Sequence, residues 1–367
     1  MYNMECEHFL KSGYGEFSER LHQKAASLHI PVSGSLEVTQ RCNLRCMHCY
    51  IPLAKRKGPR KVELSISEIQ RILDEIKEAG CLWLLLTGGE PLLRTDFLDI
   101  YKFAKHKGFL LTLFTNGTLL TPRIADVLCE WRPFNIEITL YGYSQATYES
   151  ITRIRGSHAR CMHGIELLME RRLPLKLKTM LMTVNRHELG DMQAFAKGLG
   201  VEFRFDPILN ARLDGSSLPT TMRLTPDEIV AIEQADPDRA QRWPEIIKQF
   251  KDFKSDTRKL YTCAAGNNSF HIDSFGQLCM CLTARYPSYD LRTGTFHNGW
   301  EEFILQQRSL EHSPGYSCGS CDLRSICAQC PALAQLEQGH PEKRVEFLCQ
   351  VTHRRWEVFS QGLLQSS

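Results

Sequence analysis

Three cysteines fall in one short stretch, Cys42, Cys46 and Cys49, with the spacing C-x3-C-x2-C. Three thiolates this close can hold three irons of a cubane cluster and leave the fourth iron open to another ligand. A structural zinc would need a fourth protein ligand. His48 is the local candidate, but it lies between Met47 and Cys49, and its ring would have to fold back to reach the same ion. Buried thiols with no ligand role are the third alternative.

A second cysteine set crowds the last hundred or so residues: Cys263, Cys279, Cys281, Cys318, Cys321, Cys327, Cys330 and Cys349. The run C-x2-C-x5-C-x2-C from Cys318 to Cys330 is dense enough to imply metal binding, with a zinc ribbon as the structural alternative. Cys6, Cys81, Cys129 and Cys161 stand alone; Cys81 reads as a small core residue, as do Cys129 and Cys161 in predicted helices. The total of fifteen is odd, so complete pairing within one chain is impossible. The N-terminus has neither a basic region nor an apolar run, so no secretory signal is expected and the chain is placed in the cytoplasm. In that reducing compartment, metal or cluster ligation is a better account of the thiols than disulfides.

Between the two sets, short apolar runs read as buried strands at 35–40, 81–87, 109–115, 135–141, 175–182 and 201–208. Amphipathic runs separate them. In SISEIQRILDEIKEAG, Ile69, Ile72, Leu73 and Ile76 fall at helical spacing and Gly80 is the expected stop. The next helix starts at Thr95 or Asp96 and ends at Gly108, and another has Pro122 in its first turn. Six strands alternating with helices predict an α/β fold, a partial (β/α)6 barrel of parallel strands followed by a small cysteine-rich C-terminal domain. The expected division is an N-terminal extension at 1–34, the barrel at 35–208, a bridging segment at 209–262, and the auxiliary domain with its C-terminal helix at 263–367.

Residues able to bind a ligand cluster at the predicted strand ends. Gly88 and Gly89 would let the backbone approach a ligand closely, and Glu90 could accept hydrogen bonds from an ammonium group. An ordinary strand-to-helix turn is the alternative. Asn116 and Thr139 follow the third strand and end the fourth, and Arg153 and Arg155 precede Gly156. The arginines could pair with a carboxylate or be solvated charges. No catalytic acid or base is identifiable. Hydrophobic residues are 43%, charged residues 24% and the formal net charge is +3, values that exclude a disordered chain and argue against a nucleic-acid partner. No apolar run is long enough for a membrane helix, so no membrane partner is expected.

Cys42-x3-Cys46-x2-Cys49 after the first strand of an incomplete βα barrel resembles the radical S-adenosylmethionine (SAM) enzymes. The resemblance implies that these cysteines hold a [4Fe–4S] cluster whose open iron chelates SAM, and that an electron from it yields a 5′-deoxyadenosyl radical. Thr87-Gly88-Gly89-Glu90-Pro91 is similar to the family's GGEP motif for the SAM amino group, and Thr115-Asn116-Gly117-Thr118 to its TNG element. Thr139-Leu140-Tyr141-Gly142 stands where relatives have Ser-Leu-Asp-Gly: Thr139 keeps the hydroxyl, whereas Tyr141 departs from the aspartate. Arg153 or Arg155 would pair with the SAM carboxylate.

The tail resembles the SPASM extension, which carries two auxiliary iron–sulfur clusters, [4Fe–4S] by expectation. It departs from the commoner form in having two residues, not three, between Cys327 and Cys330. By this resemblance Cys318, Cys321, Cys327 and Cys349 would ligate the distal cluster, and Cys263, Cys281 and Cys330 the proximal one. Cys279 is the local candidate for the missing fourth proximal ligand, because a strand would put it on the same face as Cys281; otherwise one iron stays open. The implied function is that of a radical SAM oxidoreductase and peptide maturase, modifying a ribosomal peptide or protein side chain. Implied partners are that substrate, an electron donor such as a flavodoxin or ferredoxin, and a separate peptide-recognition protein. The bridge, with Arg212, Asp214, Arg223 and Trp243, would cover the opening. Three alternatives remain: maturation of a haem precursor or other small molecule, a non-enzymatic electron carrier, and an activator that installs a glycyl radical. The carrier explains the tail but not GGEP and TNG at successive strand ends, and an activator would not usually need such a tail.

Overall fold

The computed structural model describes residues 13–52, 62–250 and 258–361; Cys6 lies outside them. All six predicted strands form: β1 (Ser33–Thr39), β2 (Trp83–Gly88), β3 (Leu110–Thr115), β4 (Asn135–Thr139), β5 (Leu175–Met180) and β6 (Glu202–Asp206). They pair in sequence order, each parallel to the next.

The helices between them follow local rules. Helix α2 (Ile66–Glu78) opens on a capping box made by Ser65 and Glu68, and it buries Ile69, Ile72, Leu73 and Ile76, the four predicted. Full burial of one such side chain stabilises by about 1.5–3 kcal/mol. Gly80, just past its end, has φ +99°, which L side chains rarely adopt. Asp96 occupies the N-cap position of Phe97–His106, and Thr121 caps Pro122–Glu130 ahead of its proline.

Alternation along the strands sorts two kinds of residue. Leu36 and Val38, Leu84 and Leu86, Leu111 and Leu113, Ile136 and Ile138, and Leu177 join one core with the helices. Their neighbours in sequence, among them Glu37, Glu137, Lys178 and Arg204, stand on the other face. Parallel sheets usually bury apolar side chains on both faces; here one face carries charge.

The tail does not begin a separate sheet. Strand β7 (Ser269–Ile272) adds to β1 in parallel, and β8 (Gln277–Cys279) and β9 (Tyr289–Asp290) follow antiparallel, giving one nine-stranded sheet in the order β6-β5-β4-β3-β2-β1-β7-β8-β9. The expected boundary at 263 therefore does not coincide with a break in the sheet. The physical reason is that β1 would otherwise present an unpaired edge, which β7 covers.

An ion pair fastens the same junction. Glu37 on β1 has no exposed surface and receives both arms of Arg285, at 3.0 and 2.5 Å, and the Tyr50 hydroxyl at 3.1 Å. Burial would raise the carboxyl's pKa, but Arg285 holds it below the ordinary value. His271 on β7 lies 3.9 Å from Glu37 and is pushed down to about 3 by burial and by Arg285, so it stays neutral. Replacing Arg285 with Met would strand a buried carboxylate at a cost of about 3–5 kcal/mol. A clear drop in urea midpoint is expected, with much of it recovered in Arg285→Met/Glu37→Gln. A double variant as unstable as the single one would show that the pairing is not what matters.

Candidate functional site

The C-terminal ends of the barrel strands surround a cavity of about 460 Å³, within the range of ligand sites. Cys42, Cys46 and Cys49 line it, together with Thr87, Gly88 and Gly89 from the end of β2, Asn116 after β3, and Thr139 and Tyr141 at the end of β4. Leu282 and Thr283 enter from the tail.

The cysteine loop is held by its own backbone and by neighbours. Arg45 N donates to Thr152 O at 2.9 Å and Met47 N to Ile151 O at 3.1 Å, tying the loop to helix Gln145–Thr152. Arg212, buried after β6, donates to the carbonyls of Cys49 and Met47, each at 3.3 Å, and Leu213 N donates to Tyr50 O at 2.9 Å. The groups nearest the sulfurs are donors. Leu44 N points at Cys42 Sγ at 3.4 Å, Asn116 Nδ2 at 3.9 Å, and the Tyr141 hydroxyl is bonded to Cys46. Burial first, and then the neighbouring thiols, raise the Tyr141 pKa well above its ordinary value, so it keeps its proton and donates. Donors around sulfur suit negatively charged thiolates such as iron ligands.

The glycines line the cavity as expected of a close approach, and they serve a second contact as well. A Cβ on Gly88, whose φ is +146°, would lie 2.1 Å from Thr39 O, and one on Gly89 would lie 2.2 Å from Arg41 O. They let the end of β2 press against the start of the cysteine loop, where Gly89 N donates to Thr39 O and Glu90 N to Arg41 O. Glu90 is placed differently. It does not line the cavity, and its carboxylate accepts from Thr115 Oγ1 at 2.7 Å, Asn116 N at 2.7 Å and Leu92 N at 3.1 Å. It joins the ends of β2 and β3 instead of waiting for an ammonium. Arg153 and Arg155 are exposed and do not line the cavity, which fits the solvated-charge alternative.

The tail cysteines form two groups. Cys318, Cys321, Cys327 and Cys349 line one small cavity of about 30 Å³, with Thr352 Oγ1 and Gln329 N both donating to Cys327 Sγ at 3.3 Å. Cys263, Cys281 and Cys330 are near enough to perturb one another: burial, then the other two thiols, push Cys330 up to about 11. Cys279 feels the charge of Cys281, but its thiol has other contacts of its own. Strand β8 ends at Cys279, so the strand alternation that would align it with Cys281 stops there. Its thiol is fully buried and faces the carbonyls of Gln277 and Arg285 at 3.6 and 3.8 Å. These contacts favour the alternative in which one iron has no cysteine ligand.

Of the bridge residues, Arg212 braces the cysteine loop. Arg223 pairs with Glu337 and lies over Phe347, whereas Trp243 stacks on Phe359, and Asp214 accepts from Ser216 N in its own turn. None of the four lines the cavity, although Leu209, Ala211 and Leu213 do. Sequence reasoning missed Lys178 and Arg204, which line it from β5 and β6. The available signal was a charge recurring at alternate positions of apolar strands.

Burial raises Glu90 from the usual 4.5 to about 7, against the pull of its three donors. A carboxyl whose folded pKa lies above its unfolded one binds more protons when folded, so stability falls as pH rises between about 4.5 and 7. Relative to Glu90→Gln, the wild-type protein is therefore expected to lose about 1–3 kcal/mol across that window. Urea unfolding at several pH values checks this; parallel curves would mean that Glu90 ionises normally.

Residues 36–196 match the model of the radical SAM superfamily. An AdoMet-dependent heme synthase of Methanosarcina barkeri is 26% identical over 334 residues, covering 83% of this chain and 92% of its own. A PqqA peptide cyclase of Bradyrhizobium diazoefficiens is 25% identical over 271 residues, covering 72% and 70%. The fold is similar to that of Streptococcus suis SuiB bound to the precursor peptide SuiA, with a TM-score of 0.68 and 18% identity over 95% of this chain and 84% of that one. With three loop cysteines at the mouth of a parallel barrel and a cysteine-rich tail completing its sheet, residues 36–196 form a radical SAM domain, and the chain as a whole resembles SPASM-type peptide maturases of that superfamily.

Proposed function

We propose that this radical SAM enzyme acts on a peptide or protein side chain, within a division into barrel (35–208), bridge (209–262) and auxiliary tail (263–367). The observation that carries the reading is the single cavity onto which the three loop cysteines open together with Leu282, Thr283 and Leu336 of the tail. Cys42, Cys46 and Cys49 would hold the [4Fe–4S] cluster, with Gly88, Gly89, Asn116 and Thr139 beside the SAM. When bound, cluster and SAM supply an electron and a carbon-centred radical able to abstract hydrogen. The protein's part is to hold the target C–H in contact with that carbon and to keep water out. Apolar Phe114, Met180 and Leu209 around the cavity serve this exclusion. In the tail, Cys318, Cys321, Cys327 and Cys349 hold one auxiliary cluster. Cys263, Cys281 and Cys330 would hold a second, and together the two would supply an outlet for an electron leaving a substrate radical. Among the described residues no helix is long and apolar enough to cross a membrane; the cytoplasm, with a flavodoxin or ferredoxin as donor, fits this chemistry.

A second reading has its own support. The heme synthase relative aligns over 92% of its length, more than the peptide cyclase does. A haem precursor is therefore the competing substrate class.

Anaerobically reconstituted protein with dithionite is expected to convert SAM to 5′-deoxyadenosine and methionine. Alanine at all of Cys42, Cys46 and Cys49 should abolish this, and turnover by that variant would end the assignment. Deuterium-labelled peptides and porphyrin precursors then separate the substrate classes. Label should enter 5′-deoxyadenosine from a peptide, and transfer from the porphyrin alone would give the site to the second reading. Iron analysis tests the tail: Cys279→Ala should keep the full complement and Cys281→Ala should lose about four irons. Equal losses would return Cys279 to the ligand set.

A further inference from the structure

One layer inside the barrel mouth, two cations share one acid. Lys178 on β5 pairs in register with Thr139 on one side and Arg204 on the other. Its ammonium lies 3.1 Å from Glu137 on β4 and 2.8 Å from the ring centre of Phe114 on β3. Arg204 reaches the same Glu137 oxygen at 2.5 Å. Lys178 and Glu137 side chains are only 16% and 12% exposed.

One carboxylate, Glu137, serves both an ammonium and a guanidinium at a mostly buried place. Asp206 on β6 also lines the cavity with its negative charge and accepts from Ile208 N at 2.9 Å, but among the described residues it pairs with neither cation. An uncompensated buried ammonium is costly, and here burial and Arg204 act against Glu137 to push Lys178 down to about 7. Lys178 and Arg204 both line the cavity, so an anionic occupant would meet both and hold Lys178 in its charged form. A strand interior gives no structural reason to keep two cations, since apolar residues there would pack at lower cost.

We propose that Lys178 and Arg204 form a seat for a carboxylate carried by the substrate, which fixes its orientation beneath the cysteine loop. The proposal rests on the reading of this cavity as the substrate site. The seat requires a substrate with an acidic group, such as an acidic side chain, a C-terminal carboxylate or a propionate, and it disfavours purely apolar or amide-only targets. Ammonium and guanidinium together match a carboxylate in charge and in hydrogen-bonding capacity. Phe114 beneath Lys178 keeps the ammonium from turning away, because a cation over a ring face is attracted to it.

Glutarate is the probe, with neutral glutaramide as its control, measured by calorimetry on reconstituted protein saturated with SAM. Glutarate is expected to bind and glutaramide not. Lys178→Met should weaken glutarate by about tenfold or more, the loss of one charge-assisted contact. Lys178→Arg should restore most of it. Arg204→Gln, at a half-exposed position, should weaken it too, and it provides the test should Lys178→Met not fold. Glutarate binding that is absent, or indifferent to these variants, overturns the proposal. So does exclusion of glutarate by SAM together with weaker SAM binding in Lys178→Met, since the seat would then belong to the SAM carboxylate. Loss of SAM cleavage in wild-type protein that still binds glutarate would instead defeat the enzymatic reading and leave the seat standing.

Discussion

The carboxylate of Glu37 sits with no exposed surface between the two cysteine regions, and much of the architecture follows from how it is neutralised. Its partners come from three places in the chain: Arg285 after the tail hairpin, Tyr50 next to the last cysteine of the barrel loop, and His271 on the strand that extends the sheet. A buried acid of this kind is a strict geometric condition, because any displacement of one partner leaves charge unpaired at a cost of several kcal/mol. Barrel loop and tail hairpin are therefore referenced to one point. The shared cavity, lined by Cys49 from one side and Leu282 and Thr283 from the other, is a consequence of that common reference.

The charged inner face of the sheet has a related logic. Helix-facing residues of β1 to β5 are Leu, Ile and Val at no or nearly no exposure, and they supply the stabilising burial. That leaves the opposite register open to residues that stabilise little. Glu137, Lys178 and Arg204 occupy it, the one carboxylate shared by two cations, and Lys176 pairs with Glu202 two positions further in. Stability is concentrated on one face of each strand and chemistry on the other, which lets one sheet carry both.

Much of this was legible in the sequence because the signals were local. Helix α2 was fixed by Ser65, Glu68 and four isoleucine or leucine positions, and the six strands by short apolar runs between such helices. The division of the tail cysteines into Cys318, Cys321, Cys327 and Cys349 against Cys263, Cys281 and Cys330 also matches the resemblance. What escaped was contact between distant segments. Gly88 and Gly89 carry the mark of close approach, but the sequence does not say that the approaching group is the chain's own Thr39 and Arg41. Glu90 could not be distinguished from a ligand acceptor until Thr115 and Asn116 were seen to fill its oxygens. For Cys279, period-two reasoning ran two residues beyond the end of β8, to Cys281.

The cysteine loop is already ordered by bonds that involve no sulfur. Arg45 and Met47 are tied to Thr152 and Ile151, Arg212 grips two of its carbonyls, and Leu213 bonds to Tyr50. Ordering backbone costs about 1–2 kcal/mol per residue, and here that entropy is spent during folding. The spacing of the three thiols is thereby tied to two distant segments, the helix ending at Thr152 and the chain after β6, so a substitution in either would be felt at the sulfurs.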